Sequence, residues 1–193
     1  LLRWGDAATL SFHATKLFHT IEGGAIIFKR RDDFERAEKL ISFGLVGPET
    51  IDGPGINAKM NEFQAAMGLC VLDEIHDNLK ARKNIVEQYQ SQLPSNIVQQ
   101  QLHTEITTNY AYMPVVLNSE KQVIQLLDQL QKQGISARRY FSPSLNNAGF
   151  GNGTLMPISQ DIASRILCLP LYVDLSVAEL GNITKIVGEV VTL

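Results

Sequence analysis

With 193 residues, 45% of them hydrophobic and 19% charged, the chain is long enough for one or two domains, each around its own core. A net charge of −3 gives no general attraction to nucleic acid or to an anionic membrane, and the clusters Lys29-Arg30-Arg31 and Arg138-Arg139 are too small to form a basic face. No apolar run approaches the ~20 residues that span a bilayer. The start carries no secretory signal, so a cytoplasmic protein with no membrane partner is expected.

The first residues run straight into an apolar segment with no initiator methionine, which leads us to expect a piece of a longer protein. Residues 9–12 and 24–28 are β-prone and apolar, and each reads as a buried strand. Between them lie SFHATK at 11–16 and EGGA at 22–25, which set one primary amine, Lys16, between a strand and a pair of glycines. Glycine there lets backbone come close without side-chain interference. A lysine that bonds covalently to an aldehyde needs a deprotonated amine, which calls for partial burial or a neighbouring positive charge.

Residues 31–43 carry Phe34, Ala37, Leu40 and Ile41 on one helical face, with Asp32 and Asp33 where a helix macrodipole favours acids. Six Gly and Pro residues between 44 and 55 make that stretch a loop. A long helix is predicted over 61–93, with Asn61 as cap, Pro94 at its end, and a stripe from Phe63 through Met67, Cys70, Ile75, Leu79 and Val86 to Tyr89 and Leu93. The charges around Asp73, Glu74, Asp77, Lys80, Arg82 and Lys83 read as the solvated face of that helix. At its start, GINAKMNEFQAAMG over 55–68 delivers Asn57 by a glycine-rich loop to a helix N-terminus, which suits anions. The same words also suit a capped helix start with small residues for close packing.

After Pro94 the pattern predicts a strand over 110–117, a helix over 119–133 stopped by Gly134, a strand over 135–140 and a loop over 145–156. A last helix over 176–191 is capped by Ser176. This half reads as a small α+β domain of roughly a hundred residues. Cys70 and Cys168 lie among apolar residues and are expected to be buried free thiols. The sequons at Asn152 and Asn182 are read as chance matches. His13, His19, His76 and His103 show no metal-ligand spacing, and no P-loop, Gly-x-Ser-x-Gly or dinucleotide fingerprint occurs.

The order SFHATK, EGGA, then GIN-x-KMNEFQAAMGL resembles the DegT/DnrJ/EryC1/StrS family of pyridoxal-phosphate-dependent sugar aminotransferases, specifically its carboxy-terminal half. Arg138-Arg139-Tyr140 and residues 166–171 are similar to the end of that family's chain. The resemblance implies an α/β fold. Residues 1–93 would be the remainder of a fold-type-I large domain (strands plus the long helix), and 94–193 a small α+β carboxy-terminal domain. It further implies Lys16 as the catalytic residue and covalent cofactor anchor, Ser11 as a ligand of the cofactor phosphate, and Asn57 as a phosphate ligand reaching from a neighbouring subunit. Arg138 and Tyr140 become substrate contacts. The implied cofactor is pyridoxal 5'-phosphate. The implied partners are a nucleotide-linked keto sugar, with a 4-keto-6-deoxyhexose favoured, an amino-acid donor such as glutamate, and a second copy of the chain with shared active sites. Amino-sugar and polysaccharide biosynthesis, lipopolysaccharide included, is the implied setting.

Lysine at position 16 also argues against the dehydrating members, which carry histidine there. The family chain is about twice this long, and its first half supplies the acid that pairs with the cofactor's ring nitrogen. The isolated chain is therefore expected to be inactive. A catalytically incomplete dimerisation or assembly module is the alternative reading.

Overall fold

The computed structural model describes residues 2, 4–101, 103, 105–149 and 153–192, so the sequon at Asn152 and parts of the loop over 145–156 lie outside the described residues. The chain forms two compact units, Leu1–His76 and Asp77–Leu193.

In the first unit β1 (Ala7–Ser11) pairs antiparallel with β2 (Gly24–Phe28), from Ala7 opposite Phe28 to Ser11 opposite Gly24. Helix α1 (Arg31–Ile41) follows. The apolar sides of α1 and the hairpin face one another across a groove of about 440 Å³, lined by Ala7, Ile26, Phe28, Ala37, Leu40 and Ile41. The strands are not the buried ones that their composition predicts: Ile26 is 51% exposed and α1 buries no residue. A two-stranded ribbon beside one helix has too few neighbours to enclose its apolar faces.

Helix α2 (Glu62–Gln92) begins in this unit. Asn61 Oδ1 accepts from the Gln64 N–H at 2.9 Å, while Gln64 Oε1 accepts from the Asn61 N–H at 3.2 Å. This reciprocal pair satisfies two donors at the helix mouth, as a capping box does. Of the stripe read from sequence, Phe63 and Cys70 are exposed, Met67, Ile75 and Leu79 are half-buried, and only Val86, Tyr89 and Leu93 are buried. Cys70 thus departs from the expected buried thiol. Cys168 is buried, its thiol pushed up in pKa by that burial, and both cysteines are free.

The second unit holds the core. Strands β3 (Val98–Gln99), β4 (Met113–Val116) and β5 (Ile166–Leu169) form an antiparallel sheet in that order. Val115 opposite Leu167 and Met113 opposite Leu169 set one apolar face. On that side pack Val123, Leu126 and Leu130 of α3 (Glu120–Lys132), Leu180, Ile183, Val187 and Val190 of α5 (Val177–Thr192), and Tyr89 of α2. Ser119 caps α3 by accepting from the Gln122 N–H. Ser176 and Glu179 exchange hydrogen bonds at the mouth of α5. The phenol of Tyr89, pushed up in pKa by burial, donates to the Pro170 carbonyl at 2.9 Å.

Three readings change here. Residues 135–140 form no strand; among the described residues their backbone pairs with the sheet only through a single bridge of Arg138 with Cys168. Helix α4 (Pro157–Arg165), with Pro157 in its first turn, precedes β5. Arg82 is not on a solvated face. Its Nε donates to the Tyr110 carbonyl at 2.9 Å, Nη2 to Ala111 at 3.0 Å and Nη1 to Leu171 at 3.0 Å, and burial lowers its pKa.

Candidate functional site

Lys16 stands on a loop closed at its neck. The Phe12 N–H donates to the Gly23 carbonyl at 2.9 Å, and the Thr20 N–H to the Phe12 carbonyl at 2.9 Å. Inside the loop, the Lys16 N–H donates to the His13 carbonyl at 2.9 Å, and the Glu22 N–H to the Thr20 carbonyl at 2.8 Å. His13 holds its position from both sides. Nδ1 lies 2.9 Å from Thr15 Oγ1, and Nε2 lies 3.4 Å from Glu22 Oε1. Phe12 and Phe18 meet edge to face, their centroids 4.8 Å apart. A segment with so many internal bonds presents its lysine from a fixed backbone.

The side chain of Lys16 is exposed, and among the described residues its amine makes no hydrogen bond or ion pair. The partial burial expected from the flanking Leu17 and Phe18 is absent, because this unit encloses little and the loop lies at its surface. Ser11, at the end of β1, is also exposed, and among the described residues its Oγ takes only a long 3.5 Å contact from the His13 N–H. An amine and a hydroxyl with spare bonding capacity therefore share one loop. The two glycines of the EGGA segment have a task that the sequence reading did not assign. A Cβ on Gly23 would fall 2.2 Å from Thr20 Oγ1, and one on Gly24 would fall 2.8 Å from the Leu10 carbonyl oxygen, so both positions are filled by the protein's own packing.

One residue of this loop is strained. Ile21 has φ 67°, a left-handed backbone that a β-branched side chain adopts at a cost of roughly 1–2 kcal/mol. Ile21 is half exposed, so little packing is lost on its removal. An Ile21→Gly variant is expected to unfold at higher denaturant concentration, a gain of up to about 1 kcal/mol after the entropy of glycine is counted. A lower unfolding midpoint would show that the side chain contributes more than its strain costs.

Asn57 stands in a separate loop that is bonded back onto the end of α1. The Ile56 N–H donates to the Leu40 carbonyl at 2.7 Å, and the Ala58 N–H to the Ile41 carbonyl at 3.0 Å. Asn57 is exposed, and its Oδ1 accepts from Lys59 Nζ at 2.8 Å rather than meeting Ser11 or Lys16.

In the second unit Arg138 and Tyr140 touch each other. Arg138 Nη1 donates to the Tyr140 hydroxyl at 2.9 Å. Tyr140 stacks on Phe141 at 4.4 Å and meets Tyr112 edge to face at 5.7 Å. These rings wall a groove of about 400 Å³ on the sheet face away from the core, floored by Pro114, Val116, Ile166 and Cys168. Arg139, by contrast, is a structural side chain, paired with Glu120 at 2.7 Å and donating to the Ser164 carbonyl at 3.0 Å. Sequence reasoning missed Thr20, Glu22 and Tyr112. Only Glu22 stood inside a recognisable word, and the other two come to light through packing.

Known proteins place this chain in a lineage. A dTDP-4-amino-4,6-dideoxy-D-glucose transaminase of Shigella dysenteriae is 34% identical over 198 residues, covering 98% of this chain and 54% of its own length. The crystal structure of DesI with its TDP-sugar product superposes with a TM-score of 0.86 at 26% identity, over 97% of this chain and 50% of that one. The Streptococcus pneumoniae protein Spr1654 in its PLP-form superposes with a TM-score of 0.81 at 26% identity, over 96% of this chain and 53% of that one. The chain thus spans about half the length of the relatives it matches. A family model matches residues 3–188, nearly the whole sequence, and by that match the chain belongs to the DegT/DnrJ/EryC1/StrS aminotransferase family.

Proposed function

We propose that this chain is the lysine-bearing, carboxy-terminal portion of a pyridoxal-phosphate-dependent aminotransferase acting on a nucleotide-linked keto-deoxysugar, with an amino acid, glutamate foremost, as donor. The observation that carries the reading is the unengaged amine of Lys16 on a closed loop, inside a family match that runs from residue 3 to residue 188. The residues present fit the cofactor. Lys16 offers an amine that is unpaired among the described residues for its aldehyde, the burial that would deprotonate it being left to the rest of the protein and the bound cofactor, and Ser11 offers a hydroxyl with a spare bond for its phosphate. When bound, the cofactor's ring supplies an electron sink for charge that develops at the substrate carbon.

The chain's own groups do the rest. Lys16 would hold the cofactor through its amine and, near the substrate carbon, would carry a proton to and from it as a general acid–base. Asn57 is assigned to the phosphate bound by a second copy of the chain, in a homodimer with shared sites. Arg138 and Tyr140, already joined by a hydrogen bond, are assigned to substrate: the guanidinium suits an anionic group and the phenol a sugar hydroxyl. Residues 1–93 then count as the remainder of the cofactor-binding domain with its connecting helix, and 94–193 as the small domain. A 4-keto-6-deoxyhexose on a nucleotide is the favoured substrate, supported by the Shigella transaminase and by the TDP-sugar product bound to DesI. A cytoplasmic route to polysaccharide or lipopolysaccharide sugars fits that substrate.

Incubation with pyridoxal phosphate, reduction with borohydride and peptide mapping test the anchor. The label is expected on Lys16 ahead of the other lysines. A label scattered over exposed lysines such as Lys29 and Lys121, or absent, would favour the incomplete assembly module.

A further inference from the structure

In the first unit, among the described residues, one side chain alone is buried: that of Thr20, 2% exposed. The other buried positions there are Gly44 and Gly68. A buried hydroxyl costs free energy unless it is bonded, and Thr20 Oγ1 donates to the Glu22 carbonyl at 2.7 Å. Its methyl group points the other way, into α2. A Cβ built on Gly68 would fall 2.9 Å from Thr20 Cγ2 and 3.6 Å from Phe18 Cζ, and a Cβ on Gly23 would fall 2.2 Å from Thr20 Oγ1. Thr20 therefore fills two notches that exist only because both neighbours lack side chains. The backbone of the same residue bonds to Phe12 on one side and Glu22 on the other, which ties the neck of the Lys16 loop to this one contact. The strained Ile21 comes next in the chain, and strain of that kind persists where the surrounding structure over-determines the backbone.

We propose that Thr20 is a positioning residue: by its fit between Gly23 and Gly68 it seats the loop on α2 and sets how the amine of Lys16 is presented. The inference rests on the reading of Lys16 as the reactive lysine. It predicts a trade in size. Adding a methyl group in Gly68→Ala forces the loop off the helix, whereas Thr20→Ser removes the methyl group that the new one would strike. The double variant Gly68→Ala with Thr20→Ser should then restore the seat, a coupling of the kind that contacting residues show.

The test is made on the whole chain and does not need cofactor. Amide hydrogen exchange follows Phe12, Lys16, Thr20 and Glu22, with the amides of α1 and of the β1–β2 ladder as the control for folding of the first unit. Trace acetylation by acetic anhydride, measured across pH, follows the amine of Lys16 relative to Lys29. Gly68→Ala is expected to speed loop exchange about tenfold, the effect of a modestly overpacked contact, and to change the pH profile of Lys16 acetylation severalfold against that of Lys29. Thr20→Ser alone should change both less, and the double variant should bring both most of the way back. Exchange that moves while the Lys16 profile stays put would show a merely structural contact and overturn the proposal. So would a double variant whose effects simply add. Failure of pyridoxal phosphate to label Lys16 in the wild-type chain, by contrast, would overturn the cofactor reading and leave these exchange and acetylation results to decide the role of Thr20.

Discussion

An Arg82→Leu variant is expected to lose about 3 kcal/mol of unfolding free energy, read as a fall in the denaturant midpoint of the second unit. The loss comes from what stays behind. Three carbonyls, of Tyr110, Ala111 and Leu171, each lose a charged donor at 2.9–3.0 Å, and hydrogen bonds to charged groups contribute a net of about 1.5–3 kcal/mol each when fully buried, less at a half-buried site such as this one. The leucine refunds some apolar contact, so the sum of three is not reached. Against a typical domain stability of about 5–15 kcal/mol the remaining loss is large. Arg82→Lys should recover only a fraction, because an ammonium cannot span three carbonyls in a fixed fork. A loss below about 1 kcal/mol for Arg82→Leu would mean that water replaces the guanidinium freely, and that the helix is not tied to the start of β4 by this side chain.

The second large effect concerns chemistry. Lys16→Ala is expected to abolish the borohydride-trapped label at this position and, on the proposed function, to slow amino transfer by about 10²–10⁴-fold when the variant is made in the longer protein that contains this portion, the span of a lost general acid–base. Comparison with Lys16→Arg separates two explanations. Arginine keeps a positive charge but does not give up its proton at working pH, so it cannot serve as nucleophile or base. If the charge alone mattered, the arginine variant would keep most of the rate. A proton-transfer role predicts instead that it fails like alanine, and that added methylamine partly revives the alanine variant but not the arginine one. Equal, measurable rates for wild type and Lys16→Ala in matched preparations of that longer protein would remove Lys16 from the reaction.

Much of this architecture could be read before any coordinates. Strand β2, helix α3 and the cap at Asn61 emerged from local rules, because apolar spacing and capping act over a few residues. The lysine loop was legible through two short words. What escaped depends on contacts between distant residues. Strand β3 has two residues and exists because Val98 meets Val116. Residues 135–140 have strand-like composition, yet their ladder shrinks to the single pairing of Arg138 with Cys168 on the outer edge of β5. Helix α4 did carry a local mark, proline in its first turn, but nine residues of mild amphipathicity hid it. Arg82 looked like one charge among several on a helix, and only the three carbonyls facing it reveal its task. Thr20 is a small polar residue that propensity cannot distinguish from any loop threonine; its burial depends on glycines three and forty-eight positions away.

The contrast between the two thiols has a practical corollary. Cys70 is open to solvent near the start of α2, two residues past the glycine that receives Thr20, whereas Cys168 is buried with its thiol held protonated. A maleimide dye should therefore attach at Cys70 alone under mild conditions, since reactivity follows thiolate fraction and access. That single attachment point would place a fluorescent reporter within a helical turn of the lysine loop's footing, with no engineered cysteine required.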